Sequence, residues 1–443
     1  MATKSLSAQL KQKLIQQTLE RKIKRLDQSA SSPMKPLQQG RAIPDKFCRF
    51  DQLAGYQQMQ MMRRGAEQFG VSSPFFRVHE GVAGATSQID GRDCINYASY
   101  NYLGLSGHPV VNQAAKDAVD RYGTSVSASR PVAGERPIHR ELEAALADAY
   151  EVEDAVVFVS GHATNVSTIG HLFGPKDLIL HDEFIHNSSL IGAQLSGAKR
   201  LSFPHNNIDE LERTLAQLRH QFERVLIVVE GLYSMDGDYP DLPRLVALKR
   251  RHKAFLMVDD AHSYGVMGPT GQGIREHFGL KAGDVDIWMG TLSKSLAGCG
   301  GYIAGEFALV EHLKFLAPGF LYSVGIPAQV AGPSLAALQL LKEEPERVAR
   351  LRHCSAYFLQ RAHQLGFDTG ACCGLAIIPI ITGSSLKAAQ ASEALFKQGI
   401  NVQPILYPAV PEKSARLRFF LTCDHTEQQI DKTLQILADC WLG

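Results

Sequence analysis

Between residues 155 and 305, short apolar segments alternate with helix-like segments, and this alternation constrains the fold more than any other feature of the chain. The apolar segments have a near-continuous hydrophobic character, which is typical of strands buried on both faces of a parallel sheet. They are AVVFV (155–159), LIL (178–180), VLIVVE (225–230), AFLMVD (254–259), VDIWMG (285–290) and GYIAG (301–305). Residues 209–222 and 242–252 are examples of the helix-like segments. We therefore predict an α/β fold with a mostly parallel sheet covered by helices on both faces.

The sequence before and after this alternating region predicts further structural parts of the protein. A long helical pattern (334–366) precedes strand-like segments at 375–383, 401–405 and 416–422, as expected of a smaller α+β domain. Residues 5–26 form an amphipathic helical pattern with a basic face, which would pack on the protein or a partner subunit, or dock an acidic carrier protein. We predict four parts: 1–45 (N-terminal helix and linker), 46–98 (N-terminal segment), 99–334 (large cofactor-binding domain) and 335–443 (small α+β C-terminal domain).

Composition and charge exclude several classes of function. The formal net charge of +1 provides no field that would attract nucleic acid or an anionic membrane. The sequence has no run of about 18 apolar residues that could span a bilayer, and its N-terminus lacks the apolar segment of a secretory signal. The eight cysteines show no C-x-x-C spacing, so reduced thiols in a cytoplasmic protein are expected. We expect no nucleic-acid partner and no integral membrane segment.

Polar residues of specific kinds follow two of the apolar segments, and ligands bind at the carboxyl ends of the strands in parallel sheets. Asp259 ends one segment, and His262 follows it. A buried carboxylate needs a cationic or hydrogen-bonding partner such as a protonated pyridine nitrogen; a structural arginine is the alternative. Lys294 follows the segment 285–290. Desolvation there would lower its pKa and make it a candidate Schiff-base amine, unless it is an ordinary surface lysine.

A third sequence segment has the features of a phosphate-binding site. The segment FVSGHATN (158–165) places Gly161 where a strand passes into a helix, and free N–H groups at a helix N-terminus bind phosphate well. The sequence has no P-loop motif, so a nucleotide is not indicated. Each of the three signals is weak alone. Together they provide a phosphate cradle, an acid for a ring nitrogen and an amine for an aldehyde, the arrangement that pyridoxal phosphate requires.

Four motifs resemble those of the α-oxoamine synthases, fold-type I pyridoxal phosphate enzymes that include 8-amino-7-oxononanoate synthase and serine palmitoyltransferase. They are SYNYLGLSGHP (99–109), VEGLYSMDGD (229–238), MVDDAHSYGVMG (257–268) and GTLSKS (290–295). With HNN at 205–207, the pattern is most similar to serine palmitoyltransferase. The resemblance implies a fold-type I PLP-dependent transferase with a mostly parallel seven-stranded sheet, pyridoxal 5′-phosphate as cofactor, and a homodimer whose sites are built across the subunit interface.

The resemblance also implies roles around the cofactor. Lys294 matches the lysine that binds the cofactor aldehyde, and Asp259 matches the acid paired with the pyridine nitrogen. His186 matches the histidine stacked on the ring; a capped loop histidine is the alternative. His262 and Ser234 match residues that contact the phenolic oxygen of the cofactor. The residues that match phosphate contacts are Gly161, His162 and Thr291, together with Ser323 from the other subunit. Catalytic roles are expected for Lys294, His186, Asp259 and His262.

For substrates, the resemblance implies an α-amino acid and an acyl thioester, carried by coenzyme A or by an acyl carrier protein. Arg418 matches the residue that pairs with the substrate carboxylate, with a structural ion pair as the alternative. Tyr100 and Asn101 lie in the motif nearest the substrate, and Tyr100 stands where many members have Asn. These positions leave open which amino acid and which acyl chain enter.

The implied reaction is a decarboxylative condensation that gives an α-amino ketone, carbon dioxide and a free thiol. A PLP-dependent aminotransferase on the same fold is the alternative. A non-catalytic subunit is disfavoured because the lysine, the acid and the stacking histidine are all present. His181 and His186 are near each other in sequence, but no metal site is expected.

Overall fold

The computed structural model describes residues 42–68 and 73–442. Backbone contacts divide the chain after Phe76 into two compact units. The described part of the first unit contains the helix α1 (Ala54–Gln68), preceded by two short 3-10 turns. The helix predicted at residues 5–26 lies outside the described residues.

The second unit begins at Arg77 and alternates strands with helices. Its strands are β1 (His79–Glu80), β2 (Thr86–Ile89), β3 (Arg92–Asn96), β4 (Asp154–Phe158), β5 (Leu178–Asp182), β6 (Lys199–Phe203), β7 (Val225–Glu230), β8 (Phe255–Asp259), β9 (Ile287–Thr291), β10 (Gly301–Gly305), β11 (Ile377–Ile381), β12 (Ile400–Asn401), β13 (Gln403–Ile405) and β14 (Arg416–Phe420). Its helices are α2 (Pro109–Tyr122), α3 (Pro137–Tyr150), α4 (Gly161–Leu172), α5 (Asn187–Leu195), α6 (Ile208–Leu218), α7 (Leu242–His252), α8 (Gly273–Phe278), α9 (Phe307–Leu316), α10 (Pro318–Leu321), α11 (Ala328–Glu343), α12 (Glu346–Gln364), α13 (Ser385–Lys397) and α14 (Glu427–Leu442).

The central sheet has seven strands in the order β4-β10-β9-β8-β7-β5-β6. Neighbouring strands are parallel except at β10, which runs antiparallel to β4 and β9. All six strands predicted between residues 155 and 305 belong to this sheet, and the predicted fold class is confirmed. The sequence pattern does not reveal the edge strand β6, because only Phe203 of its five residues is buried and the strand has no continuous apolar run.

The continuous apolar runs reflect burial on both faces of the sheet. In β7, Val225, Ile227 and Val229 belong to one buried cluster, whereas Leu226 and Val228 belong to a second. Successive side chains of a strand point to opposite faces, so a strand that is covered on both sides needs apolar side chains at consecutive positions through its centre. Helices α3, α7 and α11 contribute to the first cluster, and α4, α5 and α9 contribute to the second.

Parallel strands bring their carboxyl ends to one edge of the sheet. Strands β7, β8 and β9 end at Glu230, Asp259 and Thr291, and Glu230 pairs with Asp259 in the ladder. At the same edge, β4 leads into helix α4, which begins at Gly161. The edge therefore collects the residues for which the sequence predicts a ligand site.

The C-terminal region contains a three-stranded sheet in the order β11-β14-β13. The segment predicted as one strand at 401–405 is divided between two sheets: β12 pairs with β3 beside β2 and β1, and β13 pairs with β14. The helical pattern at 334–366 becomes two helices, because Pro345 lies between α11 and α12 and has no N–H to continue the first. Within the described residues, no helix has the length and apolar character needed to cross a membrane.

Replacement of Leu256 by Ala should destabilise the protein by about 2–5 kcal/mol, because this side chain of β8 is fully buried and its truncation leaves a cavity. The midpoint of urea-induced unfolding measures the change. Phe255→Ala is the control, since Phe255 lies on the same strand but is 43% exposed, and its loss should cost about 1 kcal/mol or less. Equal shifts in the two variants would contradict the burial of β8.

Candidate active site

A cavity of about 390 Å³ opens at the carboxyl edge of the central sheet. It is lined by most of the residues for which the sequence predicts a role in the site: Tyr100, Gly161, His162, His186, Ser234, Asp259, His262, Thr291, Lys294 and Arg418. They belong to the segments that follow β4, β5, β7, β8 and β9, to the segment before α2, and to β14. The fold thus brings together residues that are far apart in the sequence.

Two predicted site residues do not line this cavity. Asn101 lines an adjoining cavity of about 310 Å³, which also reaches Tyr100 and Lys294. Its side chain accepts a hydrogen bond from the Ser106 N–H (3.0 Å) and donates to the Ser106 carbonyl (3.3 Å), so it shapes its own loop. Ser323 lies elsewhere on the chain, and its hydroxyl donates to the adjacent Val324 carbonyl (3.3 Å).

Asp259 and Lys294 bring acidic and basic groups to the cavity. The Asp259 carboxylate is 5% exposed and accepts hydrogen bonds from Asn165 Nδ2 (2.8 Å) and from the Ala261 N–H (3.1 Å). Burial lowers the pKa of Lys294 to about 8, against the opposing effects of Asp259 and of a second carboxyl, Glu230. More of this amine is therefore unprotonated near neutral pH than in an exposed lysine, as a Schiff-base nucleophile requires.

Glu230 is a cavity residue that the sequence analysis does not single out. It is 3% exposed at the end of β7, and its Oε2 accepts a hydrogen bond from the Ser234 N–H (3.3 Å). Burial, and then the adjacent Asp259, raise the pKa of Glu230 well above its ordinary value and favour its neutral form. The signal that identifies Asp259, an acid at the end of a buried strand, applies equally to this residue.

The start of helix α4 forms a cradle for an anion. The Ser160 hydroxyl caps the helix by accepting a hydrogen bond from the Ala163 N–H (3.0 Å), so the N–H groups of Gly161 and His162 precede the first capped position. Thr291 lies against the same turn. A Cβ atom added to Gly161 would lie 3.2 Å from Thr291 Oγ1, closer than is normal, so glycine keeps this space clear.

Arg418 is a cation with unused donor capacity. Its Nη1 donates to the Ser234 carbonyl at 3.0 Å, and its guanidinium carbon lies 4.6 Å from the centre of the Phe420 ring. Burial lowers the pKa of Arg418. The buried Nε has no hydrogen-bond partner within the described part of the chain. An arginine that presents a free N–H beside a cavity is suited to bind a carboxylate.

His262 is held by a residue whose side-chain role the sequence does not indicate. The Tyr102 hydroxyl lies 2.8 Å from His262 Nδ1, and both side chains are buried. Burial lowers the pKa of His262 well below its ordinary value, with a further contribution from the nearby Lys294. His262 is therefore a neutral, oriented imidazole at the cavity wall.

His205 joins two loops of the cavity by a charged bridge. Its Nδ1 lies 2.9 Å from Asp182 Oδ1, and its Nε2 lies 2.9 Å from Asp238 Oδ2. Burial alone would lower its pKa, but hydrogen bonds to the two carboxylates outweigh that effect and raise the pKa of His205 to about 10. Asp182 precedes the loop of His186, and Asp238 follows the loop of Ser234, so the imidazolium connects both.

Comparisons with known proteins agree with this geometry. The profile of the family described as aminotransferase class I and II matches residues 92–437. 8-Amino-7-oxononanoate synthase from Symbiobacterium thermophilum is 42% identical over 352 residues, which cover 80% of this chain and 89% of that protein. Serine palmitoyltransferase from S. paucimobilis, with bound PLP and myriocin, has a TM-score of 0.84 at 30% identity and covers 87% of this chain and 97% of its own. The Sphingomonas wittichii serine palmitoyltransferase has a TM-score of 0.83 at 29% identity, with coverage of 87% and 96%.

Fold and cavity therefore define a fold-type I enzyme that uses pyridoxal phosphate, and the chain belongs to the class I and II aminotransferase family. Within that family it is an α-oxoamine synthase, an enzyme of the acyltransferase type. The predicted family, enzyme class and cofactor are confirmed. The sequence identity is higher to 8-amino-7-oxononanoate synthase (42%) than to serine palmitoyltransferase (30%), although the motifs at 99–109 and 205–207 resemble the latter.

The donor set of the cavity fits the cofactor. The start of α4 at Gly161 and the Thr291 hydroxyl suit its phosphate. Asp259 suits a protonated pyridine nitrogen, because the charges are opposite and the carboxylate is already oriented by Asn165. Lys294 supplies an amine for the aldehyde.

His205→Gln should reduce stability most at low pH. The folded pKa of His205 is raised to about 10, above the unfolded value of about 6.5, so its contribution is complete below pH 6.5 and is lost as the pH rises through 10. Unfolding midpoints of the parent and the variant should therefore converge between pH 6.5 and 10. His353→Gln is the control, since His353 pairs with Glu427 on an exposed surface. A difference between parent and His205→Gln that is independent of pH would contradict the charged bridge.

Proposed function

We propose that the enzyme condenses an α-amino acid with an acyl thioester, with loss of carbon dioxide, to form an α-amino ketone and a free thiol. The names of its relatives, an oxononanoate synthase and serine palmitoyltransferases, support this reaction. The observation that carries the proposal is one cavity lined by a half-buried amine, Lys294, by the guanidinium of Arg418 and by the carboxylate of Asp259. Such a site binds an amino acid at both its amine and its carboxylate.

Arg418 binds the substrate carboxylate through guanidinium N–H groups that the Ser234 carbonyl does not engage. Because Nη1 is already occupied by the Ser234 carbonyl and the guanidinium packs on Phe420, the group is held in place before the substrate arrives. Tyr100 lies between the two cavities, with the Lys294 amine 5.7 Å from its ring centre. The second cavity gives the acyl thioester a route toward the reacting carbon.

Pyridoxal phosphate, when bound, supplies an aldehyde for the substrate amine and a ring that accepts the electron pair of the α-carbon. Lys294 Nζ removes the α-proton, and its lowered pKa increases the fraction of this amine that is unprotonated near neutral pH. Asp259 keeps a proton on the ring nitrogen by charge attraction. His186, His262 and Ser234 orient the ring from the cavity wall.

Bond changes in the substrates then balance without a further reagent. The α-carbon forms a bond to the thioester carbonyl carbon, and the carbon–sulfur bond breaks, so that the sulfur leaves as a thiolate and takes a proton from water. The bond to the carboxylate then breaks and carbon dioxide leaves. Lys294 returns its proton to the α-carbon. Arg418 holds the carboxylate until that last cleavage.

The reaction is tested with carboxyl-labelled amino acids supplied singly, each with acyl-CoA, with acyl carrier protein, or with no thioester. We expect labelled carbon dioxide only when a thioester is present. An aminotransferase would instead convert the amino acid to an oxo acid with no thioester and no release of label. That outcome would overturn the proposed condensation.

Lys294→Ala should abolish turnover and the visible absorbance of the lysine-bound cofactor, because no other lysine of residues 42–68 and 73–442 lines the cavity. An activity assay measures the first effect, and visible absorbance together with borohydride labelling and peptide mapping measures the second. Lys387→Ala, which changes an exposed lysine of α13, is the control and should behave like the parent. A Lys294→Ala enzyme with normal activity would refute the role of this amine.

We also propose that the active form is a homodimer. A surface next to Ser323 exposes several large apolar side chains: Val132, Phe315, Leu316, Tyr322 and Val324. The bridge between Ser129 and Val324 brings two of the contributing segments side by side. A second copy of the chain suits this surface, since Ser323 lies outside the cavity of its own chain and is free to serve that of a partner.

Mixing two inactive variants tests the shared site. Lys294→Ala and Ser323→Asp should each be inactive, because one lacks the amine and the other places a negative charge beside the phosphate. A hybrid dimer contains one site with both defects and one intact site. Activity should therefore reappear on mixing and subunit exchange, toward half that of the parent per hybrid. If the mixture stays inactive although hybrids form, Ser323 does not serve the neighbouring site.

A further inference from the structure

A continuous chain of hydrogen bonds connects the two residues that face the cofactor site from opposite loops. Asn165 Nδ2 donates to Asp259 Oδ2 at 2.8 Å and to the Ser188 hydroxyl at 2.9 Å. The Ser188 hydroxyl lies 2.6 Å from His186 Nδ1. Asn165 and Ser188 are 1% and 0% exposed, so water does not compete for the two bonds that Asn165 donates, whereas His186 at the end of the chain is exposed.

The chain has only one consistent direction of donation. The carboxylate of Asp259 accepts, so the amide nitrogen of Asn165 must face it, and the second amide N–H then points to Ser188. The Ser188 oxygen accepts that bond and its own proton is free to go to His186. The backbone N–H of Ser188 also points to His186 Nδ1, at 3.3 Å.

Two donors therefore converge on one ring nitrogen. A lone pair on Nδ1 gives both the Ser188 hydroxyl and the Ser188 N–H an acceptor, whereas a protonated Nδ1 would take that acceptor away from the N–H; the geometry therefore favours the lone pair on Nδ1. In the neutral ring the proton then resides on Nε2. Burial lowers the pKa of His186, which favours that neutral ring.

We propose that Asn165 and Ser188 are positioning residues that hold His186 as its Nε2–H tautomer and tie it to Asp259. Asn165 ends the segment FVSGHATN (158–165), but the sequence predicts no role for its side chain or for that of Ser188, and both act through other residues rather than on the substrate. In this arrangement His186 is a fixed donor on one side of the cofactor site and Asp259 is a fixed carboxylate on the other. The hydrogen bonds through Ser188 and Asn165 join the two. Its functional consequence depends on the proposed condensation.

The packing of the two helices that carry these residues supports a rigid connection. Asn165 lies in α4, and Ser188 lies in α5. The helices approach closely at Gly192, where an added Cβ would lie 2.8 Å from the Asn165 carbonyl oxygen. A side chain at this position would separate the helices, and the bond between the amide and the hydroxyl would lengthen.

The test compares Ser188→Ala with Ser189→Ala in the holoenzyme labelled with ¹⁵N-histidine. Ser189 is the matched control, since it is the next residue of the same helix, is 1% exposed, and its hydroxyl has no hydrogen-bond partner within the described residues. The ¹⁵N shifts of His186, assigned by difference from His186→Gln, report the tautomer. We expect the Nε2–H pattern in the parent and in Ser189→Ala, and a mixture of tautomers in Ser188→Ala.

Turnover and cofactor absorbance provide the second readout. Loss of an orienting group typically costs about 10- to 100-fold in activity, so kcat should fall by that factor in Ser188→Ala while the KM for the amino acid changes little. Ser188→Thr, which keeps the hydroxyl, should restore both the tautomer and the rate. If circular dichroism shows that Ser188→Ala does not fold, Asn165→Ala replaces it. This variant removes the hydrogen bonds from Asn165 to Ser188 and Asp259, and it is measured in the same way.

The measurements distinguish a failure of this proposal from a failure of the proposed condensation. Identical ¹⁵N patterns in Ser188→Ala and Ser189→Ala, or an Nδ1–H pattern in the parent, would overturn the proposal. The shifts are read without turnover, so a failed condensation assay would refute the proposed reaction and leave the tautomer result intact. A mixed tautomer with an unchanged kcat would show that the connection has no catalytic effect, and would overturn its positioning role.

Discussion

The burial of ionisable groups at one edge of a parallel sheet is the constraint on which this site depends. Removing a carboxylate or an amine from water is costly unless each finds a partner. Asp259 has hydrogen bonds from Asn165 and from the backbone, and burial leaves the pKa of Lys294 at about 8. Both groups line the cavity, and the proposed contacts to the pyridine nitrogen and the aldehyde of the cofactor would complete their bonding.

The loops around that edge are held by charges from distant parts of the chain. Arg416 on β14 donates to the Met235 carbonyl (2.8 Å) and to Asp236 Oδ1 (2.6 Å), while Arg418 on the same strand binds the Ser234 carbonyl. His205 reaches the other end of this loop through Asp238. The small C-terminal sheet therefore sets the position of a wall of the cavity, and the residues proposed to bind the substrate carboxylate, Arg418, and the cofactor, Ser234, are joined by a hydrogen bond.

The groups on the cofactor side suit transamination as well as acyl transfer, because both begin with proton removal from the α-carbon of an amino acid. What distinguishes a condensing enzyme is access for a second substrate. The adjoining cavity beside Tyr100 and Asn101 reaches Lys294 from another direction, and its presence accords with the relatives' names. The physical difference between the two reactions therefore lies in the space around the amine.

The sequence by itself determined the central strands and the polar groups at their ends, because burial on both faces requires an unbroken apolar run and makes each terminal Asp259 or Lys294 conspicuous. It did not reveal β6, because only one of the five side chains of that strand is buried. It also did not reveal the division of residues 401–405 between two sheets. Only the tertiary structure showed Glu230, the Tyr102–His262 contact, and the connection through Asn165 and Ser188. No sequence pattern distinguishes those side chains from others of the same type. Their partners come within hydrogen-bonding distance only when the sheet, the helices and the loops are assembled.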